Sequence, residues 1–480
     1  MASESPVDAV VVGGGPNGLA AAIVLARAGR SVRLYEAHET VGGGCRSAEL
    51  TLPGVVHDVC SAVHPLGRSS PLFRQLALER HGLEWIEPPI QLAHPLDDGS
   101  AALLHRDVGA TAASFGDPAD ARTYRRWVEP MARDWELVVD AFLGPVRPLR
   151  VARHPFALSR FGMPALLPAA TLARRFRSAA ARALVAGAGA HSFLPLTAPL
   201  TGGLGLAVLV SGHAVGWPIP RGGSQRIADA LASVLEKLGG EIATAAPVAS
   251  LRALTSHRVA LLDLAPRPAL EVSDGRLRGL YAAQLRRFRH GPAAFKLDLV
   301  LDGPIPWRNR EVARSATVHL GGRFEEIAAS EAQVSRGGVH ERPFVLLNQP
   351  SSFDASRAPE GRHVVWAYCH VPNGWDGDAT EAILRQVERF APGFRDRIVA
   401  MHVTRPTDLE AYNANYVGGD INGGLMHWTQ FFTRPAIRAD PYSTPDPSIF
   451  VCSASTPPGG GVHGLCGLHA ARSALRGALR

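Results

Sequence analysis

A glycine-rich turn near the amino terminus constrains this chain more than any other feature. An apolar run, Val7 to Val12, leads into a G-x-G-x-x-G turn whose glycines are Gly13, Gly15 and Gly18. A helix rich in small residues follows, and then a second apolar run that ends at Glu36. A strand, a glycine turn, a helix, a second strand and a terminal acid in this order predict the βαβ unit that binds a dinucleotide.

Each part of this unit has a physical role. Gly13 permits a tight turn, Gly15 lets the backbone approach a pyrophosphate, and Gly18 allows the helix and the strand to pack closely. The helix N-terminus offers free N–H groups and the positive end of a dipole to the phosphates. Glu36 is expected to accept hydrogen bonds from both ribose hydroxyls. The turn also contains two further predicted cofactor contacts, Pro16 and Asn17.

A second glycine-rich segment follows the acid after a short spacer. The run from Val41 to Ser47, VGGGCRS, resembles the second flavin-contacting motif of the FAD-dependent oxidoreductases. In that family the glycines let the backbone lie against the flavin half of the cofactor, and the arginine approaches its phosphates. The resemblance implies FAD rather than NAD as the cofactor. It also implies cofactor contacts for Ala37, Gly43, Gly44 and Arg46.

The carboxyl-terminal part of the chain contains another segment of the type expected to contact a flavin. A predicted strand from Ile449 to Cys452 leads through a short linker into the turn STPPGGGVHG and then into a helix. Backbone N–H groups at a helix N-terminus suit the electron-rich pyrimidine end of a reduced flavin. The run resembles the closing flavin motif of the phytoene desaturase (carotenoid desaturase) family, although Ser453 and Ser455 stand where the family more often has glycine. The resemblance implies cofactor contacts for Thr456, Gly460, Gly461, Val462 and Gly464.

Internal segments agree with this resemblance. Arg221-Gly222-Gly223 precedes an amphipathic helix, as in the family, and Val248 stands where a backbone valine contacts the adenine in this superfamily. The segment 415–423 resembles the Gly-Gly segment on the substrate side of the flavin. The spacer between Val248 and the strand at His257 is too short for the β-meander of most relatives. We interpret this as a deletion at the edge of the flavin domain.

We predict an α/β chain with a Rossmann-like FAD-binding domain of the GR2 flavoprotein type, a mixed α+β substrate domain and a helical cap. A length of 480 residues and an apolar content of 46% suit two large cores. The FAD-binding domain is expected to combine residues 1–70, 220–265 and 440–480. The substrate-binding domain, with its apolar and basic cap, is expected to combine residues 71–219 and 266–439.

Within the substrate domain, periodicity predicts the main elements. Residues 282–300 and strands near Thr317, Phe344 and His363 are expected to form an antiparallel sheet, and residues 90–104 a hairpin. Residues 241–251 are expected to form a strand of the flavin domain. A long helix after residue 121 is expected to carry one apolar stripe that packs in the cap. The stripe consists of Trp127, Met131, Trp135 and Val138.

Charge is distributed unevenly along the chain. Between Asp140 and Asp229 there are ten arginines and no acid, and the stretch 183–220 contains no Asp, Glu, Lys or Arg. Pro195, Pro199 and glycines at 202, 203 and 205 are expected to break this stretch, so a single spanning helix is not predicted. Two interpretations stay open. The stretch forms buried helices that line a large apolar cavity, or a face that rests on a bilayer with the arginines of region 147–182 around it.

Composition excludes several classes of protein. The five cysteines are scattered without a C-x-x-C pair, so neither a metal site nor a redox-active disulfide is expected. The first predicted strand begins after six residues, so no signal peptide is expected. No nucleic-acid motif accompanies the arginines. We therefore expect a cytoplasmic protein without nucleic-acid partners, with peripheral membrane contact through region 147–182.

The number of dinucleotide-binding units in the sequence indicates the kind of chemistry. A single G-x-G-x-x-G unit suggests that the flavin exchanges electrons directly with a substrate, and with oxygen, a quinone or transiently bound NAD(P) on the other side. The family resemblance implies desaturation, saturation or isomerisation of C–C bonds in a lipophilic, isoprenoid-like molecule. The charge-free stretch favours an apolar substrate over an ammonium. The alternatives are a flavin amine oxidase acting on C–N bonds and a non-catalytic flavin- or lipid-binding protein.

Acid–base residues are suggested mainly by their position. His463 lies inside the carboxyl-terminal glycine turn, and Asp420 follows the Gly-Gly segment. His213 lies in the charge-free stretch, and Arg221 is a candidate of the same rank. Catalytic roles are therefore predicted for His463, Asp420 and His213. His191, in an apolar run, is interpreted as a hydrogen-bonded core histidine.

Overall fold

The computed structural model describes residues 5–144 and 153–480, so Arg147 and Arg150 of the arginine-rich region lie outside the described residues. The strands, β1 to β16 in chain order, are Val7–Val12, Val32–Tyr35, Ser47–Ala48, His57–Asp58, Trp85–Ile86, Leu92–Pro95, Ala101–Leu104, Ile219–Pro220, Glu241–Ala243, His257–Leu262, Ala293–Leu301, Thr317–Leu320, Val345–Asn348, His363–Val371, Ile398–Thr404 and Ile449–Val451. The α-helices of the described part, α1 to α18, are Pro16–Arg27, Pro65–Ser69, Pro71–Leu76, Val108–Ala113, Pro118–Arg133, Trp135–Phe142, Pro155–Ala165, Ala169–Ala173, Ala179–Ala190, Thr201–Ala214, Gln225–Lys237, Pro266–Val272, Gly279–Arg286, Phe324–Ser335, Thr380–Phe390, Pro406–Tyr412, Trp428–Thr433 and Leu465–Arg476.

One sheet is parallel throughout and is built from distant parts of the chain. Its five strands lie in the order β16-β10-β1-β2-β9. Strand β1 is central, and its residues Ala9 to Val11 are fully buried. Helices α1, α11 and α18 pack into one apolar core with this sheet. Buried apolar strands covered by helices are typical of a Rossmann-like domain, which confirms the predicted fold class.

The second sheet has seven strands in the order β15-β11-β14-β13-β12-β6-β7. Its pairs are antiparallel except for β12 with β6. The prediction of a strand from residue 282 was wrong at its start, because α13 occupies Gly279–Arg286 and the strand begins at Ala293. The predicted hairpin within residues 90–104 is confirmed as β6 and β7.

Helices α4 to α10 form a cap with its own apolar core. The predicted stripe is confirmed as core packing: Met131, Trp135 and Val138 are buried, and Trp127 packs against the same core. The prediction of a single long helix was wrong, because α5 ends at Arg133 and α6 begins at Trp135. Pro130 cannot donate a backbone hydrogen bond, and the helix ends one turn after it.

The charge-free stretch contributes to two helices, α9 and α10, with a break between residues 190 and 201. Pro195 and Pro199 lie in the break, as predicted, but the three glycines do not break a helix. They lie in the first turns of α10, where Gly205 packs on Gly189 and a Cβ at Gly202 or Gly203 would meet the backbone of residues 164–167. Among the described residues, no helix is both long and apolar enough to cross a membrane.

The edge strand β9 is shorter than predicted. It ends at Ala243 rather than continuing to residue 251. Ala245 has a φ of 50°, and the N–H groups of Ala245 and Ala246 donate to the carbonyls of His38 and Glu36. The chain therefore turns across the end of β2 instead of extending the sheet. This turn places the segment 245–248 beside Glu36.

A buried network of charges joins the two sheets. Asp58, on β4, accepts hydrogen bonds from Arg357 at 2.9 Å and from the backbone N–H of Ser224 at 2.7 Å. The ammonium of Lys296, on β11, donates to Asp298 and to the carbonyl of Asp58. Arg357, Asp58 and Asp298 are all fully buried. Ionic contacts that are shielded from water thus tie the mixed sheet to the small sheet of β3 and β4 and to the start of α11, the helix that packs on the nucleotide-binding sheet.

Candidate functional site

A single cavity of about 770 Å³ receives residues from both glycine turns. The turn after β1 contributes Gly13 to Asn17, and the turn before α18 contributes Gly460 to Val462. Residues of the cap and the mixed sheet line the same cavity. The structure thus brings together the two ends of the chain and an apolar wall.

The turn after β1 leaves room for a ligand at the N-terminus of α1. Gly13 has a φ of 102°, which favours glycine, and a Cβ on Gly15 would lie 2.9 Å from a carboxyl oxygen of Asp263. The N-cap residue of α1, Gly15, has no side chain that could cap the helix. The buried Oδ1 of Asn17 has no hydrogen-bond partner among the described residues. The bare glycines leave the N-terminal end of α1 open to a bound pyrophosphate, although one N–H of its first turn, that of Gly18, is bonded to Asp263.

Glu36 lies where a ribose is expected, at the end of β2. Its carboxylate accepts hydrogen bonds from the N–H of Gly14 at 2.8 Å and the N–H of His38 at 2.9 Å. Arg46 also donates to it, at 2.9 Å, and to the carbonyl of Thr40. The guanidinium of Arg46, which the family resemblance places near the phosphates, is therefore tied to Glu36 in this structure. These contacts fix the carboxylate at the cavity wall.

The remaining predicted contacts fall into two groups. Ala37, Gly43, Gly44, Arg46 and Val248 line the cavity, with Val248 on the segment bound to residues 36–38. Gly18, Thr456 and Gly464 do not line it. They hold the turns in shape: a Cβ on Gly18 would overlap the carbonyl of Gly13, and Thr456 donates to the carbonyl of Ser453 at 2.8 Å. A Cβ on Gly464 would lie 2.9 Å from that of Ala20.

Asp263, which sequence reasoning did not select as a site residue, lines the cavity directly after β10. Its Oδ2 accepts a hydrogen bond from the N–H of Gly18 at 2.9 Å. Burial, with a smaller contribution from the negative charge of Glu36, raises the pKa of Asp263 to about 7. The sequence signal that could have identified Asp263 was an acid at the end of a buried strand that lies beside the glycine turn.

None of the three predicted catalytic residues lines the cavity. His463 accepts a hydrogen bond from the N–H of Leu465, and burial lowers its pKa to about 4. Asp420 accepts hydrogen bonds from three backbone N–H groups, each at 2.8 Å, and so stabilises a loop. His213 bonds Tyr124 inside the cap at 2.8 Å. Arg221 is exposed and pairs with Glu84. Each of the four side chains is thus held by protein contacts outside the cavity lining, and the catalytic roles stay predictions.

The wall contributed by the cap and the mixed sheet is largely apolar. Leu204 and Val208, from α10 in the charge-free stretch, line it together with Trp217. From the mixed sheet come Leu346, Trp366 and Tyr368. His191 also lines the cavity, with its Nε2 2.9 Å from Nε2 of His319. The expected core histidine is thus hydrogen-bonded, but part of it faces the cavity.

Fold and site together define a class of protein, the oxidoreductases with a Rossmann-type dinucleotide site. The family model for an NAD(P)-binding Rossmann-like domain matches residues 11–77. Pyridine nucleotide-disulfide oxidoreductase domain-containing protein 2 of Rattus norvegicus is 25% identical over 98% of this chain and 93% of its own length. Hydroxyneurosporene desaturase of Cereibacter sphaeroides is 32% identical over 62% of this chain and 58% of its own length.

Solved structures share the fold. An oxidoreductase from Methanosarcina mazei has a TM-score of 0.66 and 15% identity, with 98% of this chain and 100% of that chain covered. A variant of a putrescine oxidase has a TM-score of 0.62 and 18% identity, with 98% of each chain covered. The chain is thus similar to FAD-dependent oxidoreductases, and carotenoid desaturases are among the proteins that it resembles.

Proposed function

We propose that this chain binds FAD in the shared cavity and uses it to desaturate, saturate or isomerise C–C bonds of a lipophilic, isoprenoid-like substrate. The observation that carries the proposal is that both glycine turns and an apolar wall line one cavity. FAD, when bound, supplies a ring nitrogen that accepts or donates a hydride. The similarity to a hydroxyneurosporene desaturase supports the choice of substrate class.

The residues of the cavity fit this role. The turn at Gly13 to Asn17 and the N-terminus of α1 would hold the pyrophosphate, and Glu36 the ribose. Backbone N–H groups of residues 460–462 would face the flavin. The apolar side chains of α10 and the mixed sheet would orient the substrate and exclude water.

Flavin binding is tested with substitutions at the two nucleotide contacts. The purified protein is expected to be yellow. Gly15→Val and Glu36→Arg are expected to abolish flavin retention. The valine side chain would occupy the space in which the pyrophosphate approaches the backbone, and the arginine would replace the carboxylate that accepts hydrogen bonds from the ribose. Glu36→Gln, which keeps the volume of the side chain, is expected to weaken it. Glu39→Arg makes the same charge change at an exposed neighbouring position and is the matched control.

Flavin content and affinity are measured by absorbance and fluorescence titration on variants with native thermal unfolding. Full FAD retention in both Gly15→Val and Glu36→Arg would refute the assignment of the site. A colourless wild-type protein that ignores added FAD would refute it as well.

A flavin amine oxidase is the main rival, and the solved putrescine oxidase shares only the fold at 18% identity. Among the described lining residues the acids are Glu36, Asp263 and Glu271. Glu36 and Asp263 lie against the glycine turn, and Glu271 on α12 follows the strand that ends there. The apolar wall therefore offers no carboxylate to an ammonium group.

The reaction is tested by anaerobic reduction of the bound flavin. Isoprenoid alkenes are expected to reduce it or to oxidise its reduced form, whereas alkyl diamines are not. Reduction by amines alone would support the rival, and a flavin inert toward every donor would support a binding protein. We propose oxygen, a quinone or NAD(P) as the second redox partner, to be distinguished by mixing each with the photoreduced protein.

We further propose that helix α7 docks on an anionic membrane surface. Phe156 and Met163 on α7 and Leu166 just after it are exposed to 82%, 70% and 55%. Exposed arginines Arg153 and Arg160 lie on the same segment, and further exposed arginines follow at Arg174, Arg175 and Arg177. Apolar side chains flanked by arginines match an interfacial helix.

Vesicle sedimentation tests this docking. Phe156→Ser with Met163→Ser, and separately Glu at positions 174, 175 and 177, are expected to reduce binding to phosphatidylserine-containing vesicles severalfold. Leu280→Ser is the matched control, because Leu280 is 83% exposed on a different helix, α13. Equal sedimentation of all variants would contradict the proposal.

A further inference from the structure

Two histidines form a hydrogen-bonded pair at the apolar wall of the cavity. His191, which follows α9, is partly exposed and lines the cavity. His319, on β12, is fully buried, and its Nε2 lies 2.9 Å from Nε2 of His191. No set of three or more metal-binding side chains in the described part of the chain is arranged to hold a metal ion. The pair is therefore available for hydrogen bonding.

Both imidazoles are neutral. Burial lowers the pKa of His191 to about 3 and that of His319 well below its ordinary value. Two neutral rings that meet through their Nε2 atoms share one proton between them, so one ring donates and the other accepts. The direction of this bond decides what His191 presents to the cavity.

The surroundings of His319 set that direction. Its Nδ1 is buried without a partner in the described part of the chain and lies against Gly187, where a Cβ would be 2.6 Å away. A buried N–H without an acceptor is rarer than an unused acceptor. We therefore assign the proton of His319 to Nε2, which donates to Nε2 of His191. His191 then carries its own proton on Nδ1.

This assignment gives the cavity a hydrogen-bond donor in an apolar wall. In this wall Leu204, Val208 and Leu346 carry no acceptor side chain, and Trp217 packs edge-on to His191 with its indole N–H bonded to the carbonyl of Val208. In the described structure, no protein group hydrogen-bonds Nδ1 of His191. An apolar molecule would leave this N–H unpaired, and an ammonium has no acceptor for it.

We propose that His191 is a subsite for one neutral acceptor oxygen, a carbonyl, ether or hydroxyl oxygen, carried by an otherwise lipophilic substrate. His319 is the positioning residue that fixes the tautomer of His191. The inference deepens the proposed function, on which it rests for the assignment of this cavity to the substrate. It narrows the substrate class from hydrocarbons in general to oxygenated lipophiles.

A matched pair of probes isolates this hydrogen bond. Geranylacetone carries a ketone, and its methylene analogue has C=CH₂ in place of C=O. Dissociation constants are measured by calorimetry on the purified full chain. His191→Phe is expected to raise the dissociation constant of the ketone by about two- to tenfold, the range of one hydrogen bond. The dissociation constant of the methylene analogue is expected to stay the same or to fall. His191→Gln keeps a donor and is expected to retain the preference.

The ratio of the two dissociation constants also tests His319. His319→Phe is expected to shift the ratio in the same direction as His191→Phe, since His191 loses the partner that sets its tautomer. His94→Phe is the control: His94 is another buried histidine that packs against His319 but does not line the cavity. A ratio unchanged by His191→Phe overturns the proposal.

A measurement on the wild-type protein covers the case in which the variants do not fold. In ¹⁵N-histidine spectra, the Nδ1 resonance of His191 is expected to shift with geranylacetone and not with the methylene analogue. Equal shifts with both probes overturn the subsite. Flavin absorbance is recorded on the same samples. If the protein binds flavin but does not bind the ketone more tightly than the methylene analogue, the subsite alone is rejected. Ketone preference without flavin rejects the proposed function alone.

Discussion

At the scale of single residues, Asp263 stands out because its carboxyl group lies beside the turn that is expected to hold an anion. It accepts a hydrogen bond from the N–H of Gly18, and its pKa rises from 3.8 to about 7. Burial is the larger cause, and the charge of Glu36 adds to it. The folded chain therefore holds a proton on Asp263 that the unfolded chain releases at a lower pH.

This proton makes stability depend on pH. Because the folded pKa lies above the unfolded one, the contribution of Asp263 is fully present below about pH 4 and is lost as the pH rises through 7. Asp263→Asn keeps the acceptor for Gly18 and removes the charge. The unfolding free energy of the variant minus that of the wild type, measured by urea denaturation, is expected to be about 2 kcal/mol larger at pH 8 than at pH 5.

The control for this comparison is an acid on the surface. Asp302 is half exposed and pairs with Arg397, so Asp302→Asn is expected to change stability little at either pH. An Asp263→Asn variant whose difference from wild type is the same at pH 5 and pH 8 would show that the carboxyl does not titrate as described.

At the scale of elements, the packing of α18 on α1 shapes the nucleotide end of the cavity. A Cβ on Gly467 would overlap the carbonyl oxygen of Asn17, and the neighbouring N–H of Ala21 lies 2.8 Å from the same point. Both contacts are backbone atoms of α1, which cannot rotate away as a side chain would. The two helices approach this closely only because residue 467 is glycine.

Gly467→Ala is expected to force these helices apart. The cost is about 1–3 kcal/mol of unfolding free energy, as for other overpacked sites, and FAD affinity is expected to fall because Asn17 moves. Gly291→Ala is the control, since a Cβ there has its nearest neighbour at 3.5 Å, an ordinary contact. Thermal unfolding and flavin titration measure both effects. A Gly467→Ala variant as stable as Gly291→Ala would contradict the expected overlap.

Local sequence patterns were enough to predict the elements that carry the glycine turns. The βαβ unit and the strand–turn–helix at residues 449–476 have periodicity and glycines within one short segment. The contact between His191 and His319 joins residues 128 positions apart, and no local pattern encodes it. The same holds for Gly202 and Gly203, which resemble helix breakers in sequence but permit close packing on residues 164–167.

At the scale of the whole molecule, the two sheets are held together by buried charges. Burial alone would raise the pKa of Asp58, but Arg357 and the hydrogen bonds from Ser224 and Ser47 hold it below its ordinary value. Arg357 also donates to Asp354 at 3.0 Å. One guanidinium therefore balances two carboxylates where the domains meet.

Arg357→Met is expected to leave both carboxylates without a cation and to lower the unfolding free energy by about 3–5 kcal/mol at neutral pH. Arg395→Met is the matched control, because Arg395 forms a partly exposed pair with Glu381 and its loss should cost at most ~1 kcal/mol. Chemical denaturation at neutral pH measures both variants. Equal effects would show that the buried network does not secure the domain junction.

The strands of the nucleotide-binding sheet come from the beginning, the middle and the end of the chain, and the last helix packs on the first. A nascent chain of four hundred residues therefore contains four of the five strands of this sheet but neither β16 nor the second glycine turn. The shared cavity is therefore complete only after residues 449–476 have folded against the amino-terminal unit.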